Sequence, residues 1–264
     1  MRLTAEEVIQ RFLQPAEPPD ATVDRILFGS PQAEVTGIAV TFLASQSVLE
    51  QAAALGANFV ISHEGIFYSH HAGGDHLNGD PVFLAKRKWI EQSGIVVYRL
   101  HDHIHRCRPD GITAGLVKAL EWESYVREVR PESSIVRLPE LSLRELAAHV
   151  KDKLGLAALR VVGDLSMPCS RVGLLAGYRG GAATAIPLLG REDVDAVIAG
   201  EGPEWETPEY VRDAMRQGRK KALVLIGHAA SEEPGMRALA VKLREALPDV
   251  PVRFIADRPV FQIV

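Results

Sequence analysis

The alternation of apolar and polar positions divides the chain into helices and strands with recognisable ends. Residues 4–14 predict a helix opened by Thr4 and Glu7 as a capping box, hydroxyl and carboxylate each satisfying a backbone N–H that the first turn leaves over. The apolar, β-branched run 35–42 predicts a strand, and a helix then starts at Ser45 and closes at Gly56. Residues 57–62 predict another buried strand. Asp80 as N-cap, Pro81 at the first helical position and Gly94 as the stop delimit the next helix, ahead of a strand over 95–100. The second half repeats the rhythm: Ser142 and Glu145 form another capping box, Gly155 ends that helix, and 171–176 and 194–199 read as strands. A helix from Thr207-Pro208 ends at Gly218, and 221–226 is the strand before Gly227-His228.

Strands alternating with helices of this length predict an α/β layered fold with a largely parallel sheet. The expected organisation is an N-terminal α/β half over 1–121, a central segment over 122–190 and a closing α/β segment over 191–264. The stretch 122–141, with Pro131 and Pro139, is the expected passage between the halves. No close internal repeat or low-complexity tract interrupts this pattern.

Composition narrows the class. Of 264 residues 47% are hydrophobic and 24% charged, the proportions of a globular chain able to bury a substantial core. Thirty basic against 34 acidic residues, without a basic block, give no electrostatic reason to expect a nucleic-acid partner. No apolar run approaches the ~18 residues that cross a bilayer, and the opening MRLTAEEVIQ does not read as a secretion signal, so no membrane partner and a cytoplasmic location are expected. The two cysteines, Cys107 and Cys169, lie far apart and read as buried free thiols rather than as a disulfide or thiolate zinc site.

The unusual feature is where the histidines fall. His63-Glu64 follows one predicted strand, the His101-Asp-His-Ile-His105 cluster a second, Glu201 a third and His228 a fourth. In open α/β sheets the crevice beyond the carboxyl ends of the strands is where ligands bind, so these groups can converge on one site. Imidazole with carboxylate suits zinc, iron, manganese or cobalt, whereas calcium prefers oxygen donors alone. Six candidate ligands exceed the needs of one ion. Two ions about 3.5–4 Å apart would use the set and activate water against an electrophile. Taken singly, a histidine at a strand end is more often a hydrogen-bonded structural residue; the conjunction carries the argument.

These residues resemble the Nif-three-like family, also described as GTP cyclohydrolase type-two homologues, over essentially the whole chain. A family strand ending in paired histidines is matched by Phe59 through His63, with Glu64 in the second place. The family's histidine followed four positions later by aspartate is matched by His101 and His105. Its C-terminal motif is matched closely by Gly227-His228-Ala-Ala-Ser-Glu232. The resemblance implies a metal set of His63, Glu64, His101, His105, His228 and Glu232, in which the exchange between positions 64 and 105 keeps four histidines and two carboxylates. A register turning Asp102 or His103 inward instead of His105 remains open. Ala199-Gly200-Glu201 matches the family's glycine-glutamate motif, which makes Glu201 a candidate general base or a residue supporting the ligands, or else a charge beside the Thr207 helix; Trp205 stands where relatives often carry histidine.

The turn Gly177-Tyr-Arg-Gly-Gly181, with Arg179 and the N-terminus of the following helix, is a candidate anion site. The segment 69–76, with His70, His71 and His76, reads as a surface loop that can also cover the site. The expected function is a dinuclear metal-dependent hydrolase with two divalent ions per chain. The resemblance implies a nucleotide or heterocyclic small-molecule substrate and a homohexamer. The alternative is a protein that sequesters, delivers or senses metal without turnover. An amidohydrolase-type barrel built around His101-x-His103 is disfavoured because fewer than eight strand–helix units are present.

Overall fold

The computed structural model of the chain describes residues 3–13, 21–70, 77–191 and 194–264. Two compact units are formed, Met1–Cys107 with Met236–Val260 and Arg108–Gly235 with Phe261–Val264. The chain enters the first unit for the second time inside a helix.

The first unit opens with α1 (Ala5–Val8), where Glu7 N–H donates to Thr4 Oγ1 at 3.2 Å and Thr4 N–H to Glu7 Oε2 at 2.9 Å. The expected capping box is therefore present. The α-helix is shorter than expected, because Ile9–Leu13 winds as a π-helical turn and residue 14 lies outside the described residues. The sheet contains β1 (Arg25–Phe28), β2 (Ile38–Thr41), β3 (Phe59–Ser62), β4 (Val96–Arg99) and the last strand of the chain, β11 (Val252–Phe254). Its order is β1-β4-β3-β2-β11, with β1 antiparallel at one edge and the other four parallel. Every residue of β2, β3 and β4 is buried, as parallel strands covered on both faces require. Around them pack α2 (Gln46–Ala54) and α3 (Pro81–Ser93), with Val48, Leu49, Phe83 and Ile90 in the core. Asp80 Oδ1 accepts from Val82 and Phe83 N–H at 3.0 and 2.9 Å, and Gly94 ends α3 at φ 71°, so both predicted boundaries stand. A five-residue helix, α4 (Asp102–Arg106), follows β4.

The second unit comprises α5 (Gly111–Ala119), β5 (Val126–Val129), β6 (Ser134–Ser142), α6 (Leu143–Lys153), β7 (Arg160–Val162), β8 (Pro168–Leu175), α7 (Ala182–Gly190), β9 (Ala196–Ala199), α8 (Thr207–Arg216), β10 (Ala222–Leu225) and the start of α9 (His228–Ala246). Strands run in the order β5-β6-β8-β9-β10-β7, with only β8, β9 and β10 mutually parallel. The stretch 122–141, expected as a passage, carries β5 and most of β6, which pair antiparallel to each other, and β6 pairs antiparallel to β8. Their alternation of exposed and buried positions is the pattern of a sheet with one wetter face, easily taken for loop. The core combines Leu116, Trp122, Leu146, Val172 and Ile198. The fold is thus α/β in two halves, as expected, with a more mixed second sheet. No helix among the described residues is long and apolar enough to cross a membrane.

Candidate functional site

In the first unit, β3 and β4 deliver their C-terminal ends side by side, and the next residues of each are His63-Glu64 and Leu100-His101. His63 is fully buried. Its Nδ1 lies 2.9 Å from Leu100 O, and since a carbonyl only accepts, Nδ1 carries the proton and Nε2 keeps its lone pair. His101 repeats the arrangement, donating from Nδ1 to Asp102 Oδ1 at 3.0 Å. Rings of His63 and His101 stack at 4.6 Å between centroids, and His105 packs edge-on to both, at 5.1 and 4.9 Å. Ligand atoms of these three histidines lie within 4.8 Å of one another. Burial, followed by the neighbouring His63 and His105 imidazoles, pushes the His101 pKa down to about 3. Its ring is a neutral donor at physiological pH.

The four-residue spacing of His101 and His105 spans one turn of α4 and puts both with His63. The intervening residues face elsewhere. Asp102 holds the His101 ring and accepts from Val23 N–H at 3.0 Å, while buried His103 sets Nδ1 3.3 Å from Asp24 Oδ2. Asp24 is the residue that fixes this turn: its carboxylate accepts from the backbone N–H groups of His101, Asp102 and His103 at 2.7, 2.9 and 2.9 Å. No motif in the sequence signals that role, because the acceptor lies 77 positions away from His101.

Glu64 places Oε1 3.6 Å from His101 Nε2, while Oε2 accepts from the buried Arg99 guanidinium at 3.1 Å. The same guanidinium donates to His70 Nδ1 at 3.0 Å and to the carbonyls of His63 and His70. Glu64, His70 and His101 form a second close group of ligand atoms. His70 thus belongs with the histidine set, although its sequence context reads as loop; His71 and His76 lie outside the described residues.

In the second unit the C-terminal ends of β8, β9 and β10 meet around Gly177, Gly200-Glu201 and Gly227-His228. Glu201 N–H donates to Gly177 O at 3.0 Å and Gly227 N–H to Gly200 O at 2.9 Å. Gly177 has φ 69°, and a Cβ there would stand 2.2 Å from Glu232 Oε1, so glycine is needed both for the turn and for the carboxylate beside it. Ser231 Oγ accepts from Gly177 N–H at 2.8 Å and donates to His228 O at 2.7 Å, tying the first turn of α9 to the end of β8. His228 Nδ1 donates to Glu201 Oε1 at 2.8 Å, which turns the Nε2 lone pair toward Glu232 Oε2 at 3.2 Å. Two acceptors at that distance are reconciled by a proton or by a metal cation. Glu201 therefore orients His228 rather than standing as a charge beside α8.

The turn at Gly177–Gly181 does not keep its donors for a ligand. Arg179 pairs with the buried Asp110 at 3.0 Å, and the first N–H of α7, on Ala182, donates to Glu206 Oε2 at 2.6 Å. Two carboxylates of the chain take the places that an anion would have.

In His63, His101 and His228 alike, Nδ1 is held by an oxygen acceptor and Nε2 is presented, the arrangement that orients metal-binding imidazoles. The Duf34/NIF3 (NGG1p interacting factor 3) family pattern matches residues 5–259. The chain belongs to this family. The Escherichia coli K12 protein named GTP cyclohydrolase 1 type 2 homolog is 31% identical over 229 residues, covering 84% of this chain and 82% of that protein. A Clostridium perfringens protein of the same name is 23% identical over 241 residues, covering 88% and 87%. Among solved structures, a Bacillus cereus protein related to NIF3 superposes with a TM-score of 0.76 at 15% identity, covering 100% of this chain and 99% of the other. The family resemblance and the fold it implies are thereby shown, and the His/Glu groups have ligand atoms close enough together to hold a metal ion.

Proposed function

We propose that the chain is a metal-dependent hydrolase of a nucleotide or heterocyclic small molecule, in which His63, Glu64, His101, His105, His228 and Glu232 hold two divalent ions. Zinc, iron and manganese fit the mixture of imidazole and carboxylate donors. The observation that carries the reading is the shared setting of His63, His101 and His228, each with Nδ1 bound to an oxygen and Nε2 presented. The names of the relatives, as cyclohydrolase homologues, support the reaction class.

Bound divalent ions would polarise the electrophile and lower the pKa of an attacking water toward neutrality. The residues of the chain supply position and proton transfer. Asp24 and Asp102 hold the His101–His105 turn, Arg99 holds Glu64 by one oxygen and leaves the other toward His101, and Glu201 orients His228. Glu201 is 44% exposed on its side chain, and its second oxygen can take a proton from a reacting water. A homohexamer in the cytoplasm accompanies this reading as the assembly that the resemblance implies.

The test joins metal analysis of gently purified protein with turnover assays on nucleotides, pterins and cyclic amides. Two ions per chain and metal-dependent turnover are expected. A metal-loaded chain inactive on all of them would replace hydrolysis by metal sequestration or sensing, and an active metal-free chain would exclude the mechanism.

A further inference from the structure

The loops after β8 and β9 carry two large aromatic side chains that remain in solvent, Tyr178 at 62% and Trp205 at 76% exposure. A single exposed aromatic residue is ordinary. These two differ in how their backbone is held. Glu201 N–H donates to Gly177 O and Gly180 N–H to Glu201 O, each at 3.0 Å, so the two loops are joined on both sides of Tyr178. At Gly202 a Cβ would reach the Gly180 carbonyl carbon at 2.6 Å, which places the loops in direct backbone contact. On one side of Trp205, Glu204 pairs with Arg160 at 2.6 Å; on the other, Glu206 accepts from the α7 N-terminus at 2.6 Å. The indole is displayed from a backbone ordered beforehand, which lowers the entropy cost of binding something to it.

The same loops carry the reactive groups. Gly177, adjacent to Tyr178, lies against Glu232, and Glu201, four residues before Trp205, holds His228. His228 and Glu201 are open to solvent, at 25% and 44% side-chain exposure. Charge narrows the ligand further. The two places in this turn suited to a phosphate are filled by Asp110 on Arg179 and Glu206 on α7, the nearby Arg160 and Arg212 are taken by Glu204 and Glu209, and Glu201 adds a further carboxylate beside His228.

We propose that Trp205 and Tyr178 form a stacking platform for a flat heterocyclic ring beside His228 and Glu201, and that the ligand is a neutral or cationic base, nucleoside or pterin rather than a polyphosphate. The assignment of this ring as substrate rests on the hydrolase reading; its binding does not. Stacking on an aromatic face is tolerant of ring identity, whereas the surrounding carboxylates oppose a chain of phosphates.

Tryptophan fluorescence reads the proposal directly, since the other two tryptophans, Trp89 and Trp122, are half-buried and buried. The full-length chain is titrated with guanosine, pterin, GTP and inorganic phosphate, with calorimetry alongside for Trp205→Ala, Trp205→Phe and Tyr178→Ala. Saturable quenching by guanosine or pterin is expected, with binding weakened about tenfold or more in Trp205→Ala, less in Tyr178→Ala, and largely restored in Trp205→Phe. GTP should bind no more tightly than guanosine. Absence of saturable quenching by both neutral rings, unchanged affinity in Trp205→Ala, or GTP binding tenfold tighter with inorganic phosphate as competitor would each overturn the platform. A quenched but never hydrolysed ring would instead remove the hydrolase reading and leave the platform standing.

Discussion

In the first unit three imidazoles pack ring against ring behind Glu64, whereas in the second a single imidazole, His228, stands between the carboxylates of Glu201 and Glu232. The first set, with His63 buried and His101 and His105 half-buried, is held by residues of remote sequence position: Asp24 on the backbone of α4 and Arg99 on Glu64. The second is acidic and partly open, and is assembled almost entirely from strand ends and glycines, with Gly177 making room for Glu232. One ring chemistry is thus embedded in two opposite electrostatic settings. The histidine-rich set brings nitrogen donors together; the acidic set brings charge and access together.

The largest expected effect separates the two sets by metal affinity. His63→Ala removes a fully buried ring from the first set, and affinity for zinc should fall at least a hundredfold, since even residues that only support ligands are worth 10–100-fold. Equilibrium dialysis checks it, and circular dichroism shows whether the fold persists. Next is Arg99→Met, which leaves Glu64 without its buried cationic partner and should destabilise the first unit by about 3 kcal/mol in urea unfolding. Stability unchanged within experimental error would mean that Glu64 is solvated rather than held.

A smaller effect comes from pH and belongs to the first unit alone. Lys86 is buried, donates to Ile66 O at 2.8 Å in the loop after Glu64, and has its pKa lowered by burial to about 8. The unfolded chain keeps that proton to about 10.5, so between these values the unfolded state binds more protons and stability rises with pH. In Lys86→Met this rise should vanish, amounting to about 2–3 kcal/mol of difference in unfolding free energy across the window. An identical pH profile for both proteins would contradict it. The smallest effect tests the acidic set: Glu201→Gln keeps an acceptor for His228 but loses the charge, and should weaken metal binding about tenfold without changing stability.

The local parts of this structure were legible in the sequence, and the remote parts were not. Asp80, Pro81 and Gly94 marked both ends of α3, and Ser142 with Glu145 marked the start of α6, because capping joins residues three positions apart. His63, His101 and His228 were visible because each directly follows an apolar strand. Asp24 and Arg99 carried no such signal: their partners are set by the antiparallel pairing of β1 with β4 and by the loop after β3, which no local pattern encodes. His70 was hidden among the histidines of a glycine-containing loop. The expected anion site at Gly177–Gly181 failed for a similar reason, since Asp110 and Glu206 reach it from 69 and 24 positions away. Residues 122–141 misled through Pro131 and Pro139, which flank or interrupt β-structure as readily as they mark a passage.

If both histidine sets bind divalent ions, the metal content of the full-length chain must depend on each of them. Zinc or manganese quantified per chain after dialysis, for wild type, His63→Ala and His228→Ala, should give two ions in the wild type and a loss in each variant with the fold intact. A wild-type content of one ion or none under metal-replete conditions, or a His228→Ala chain that retains the full wild-type content, would overturn the two-ion reading.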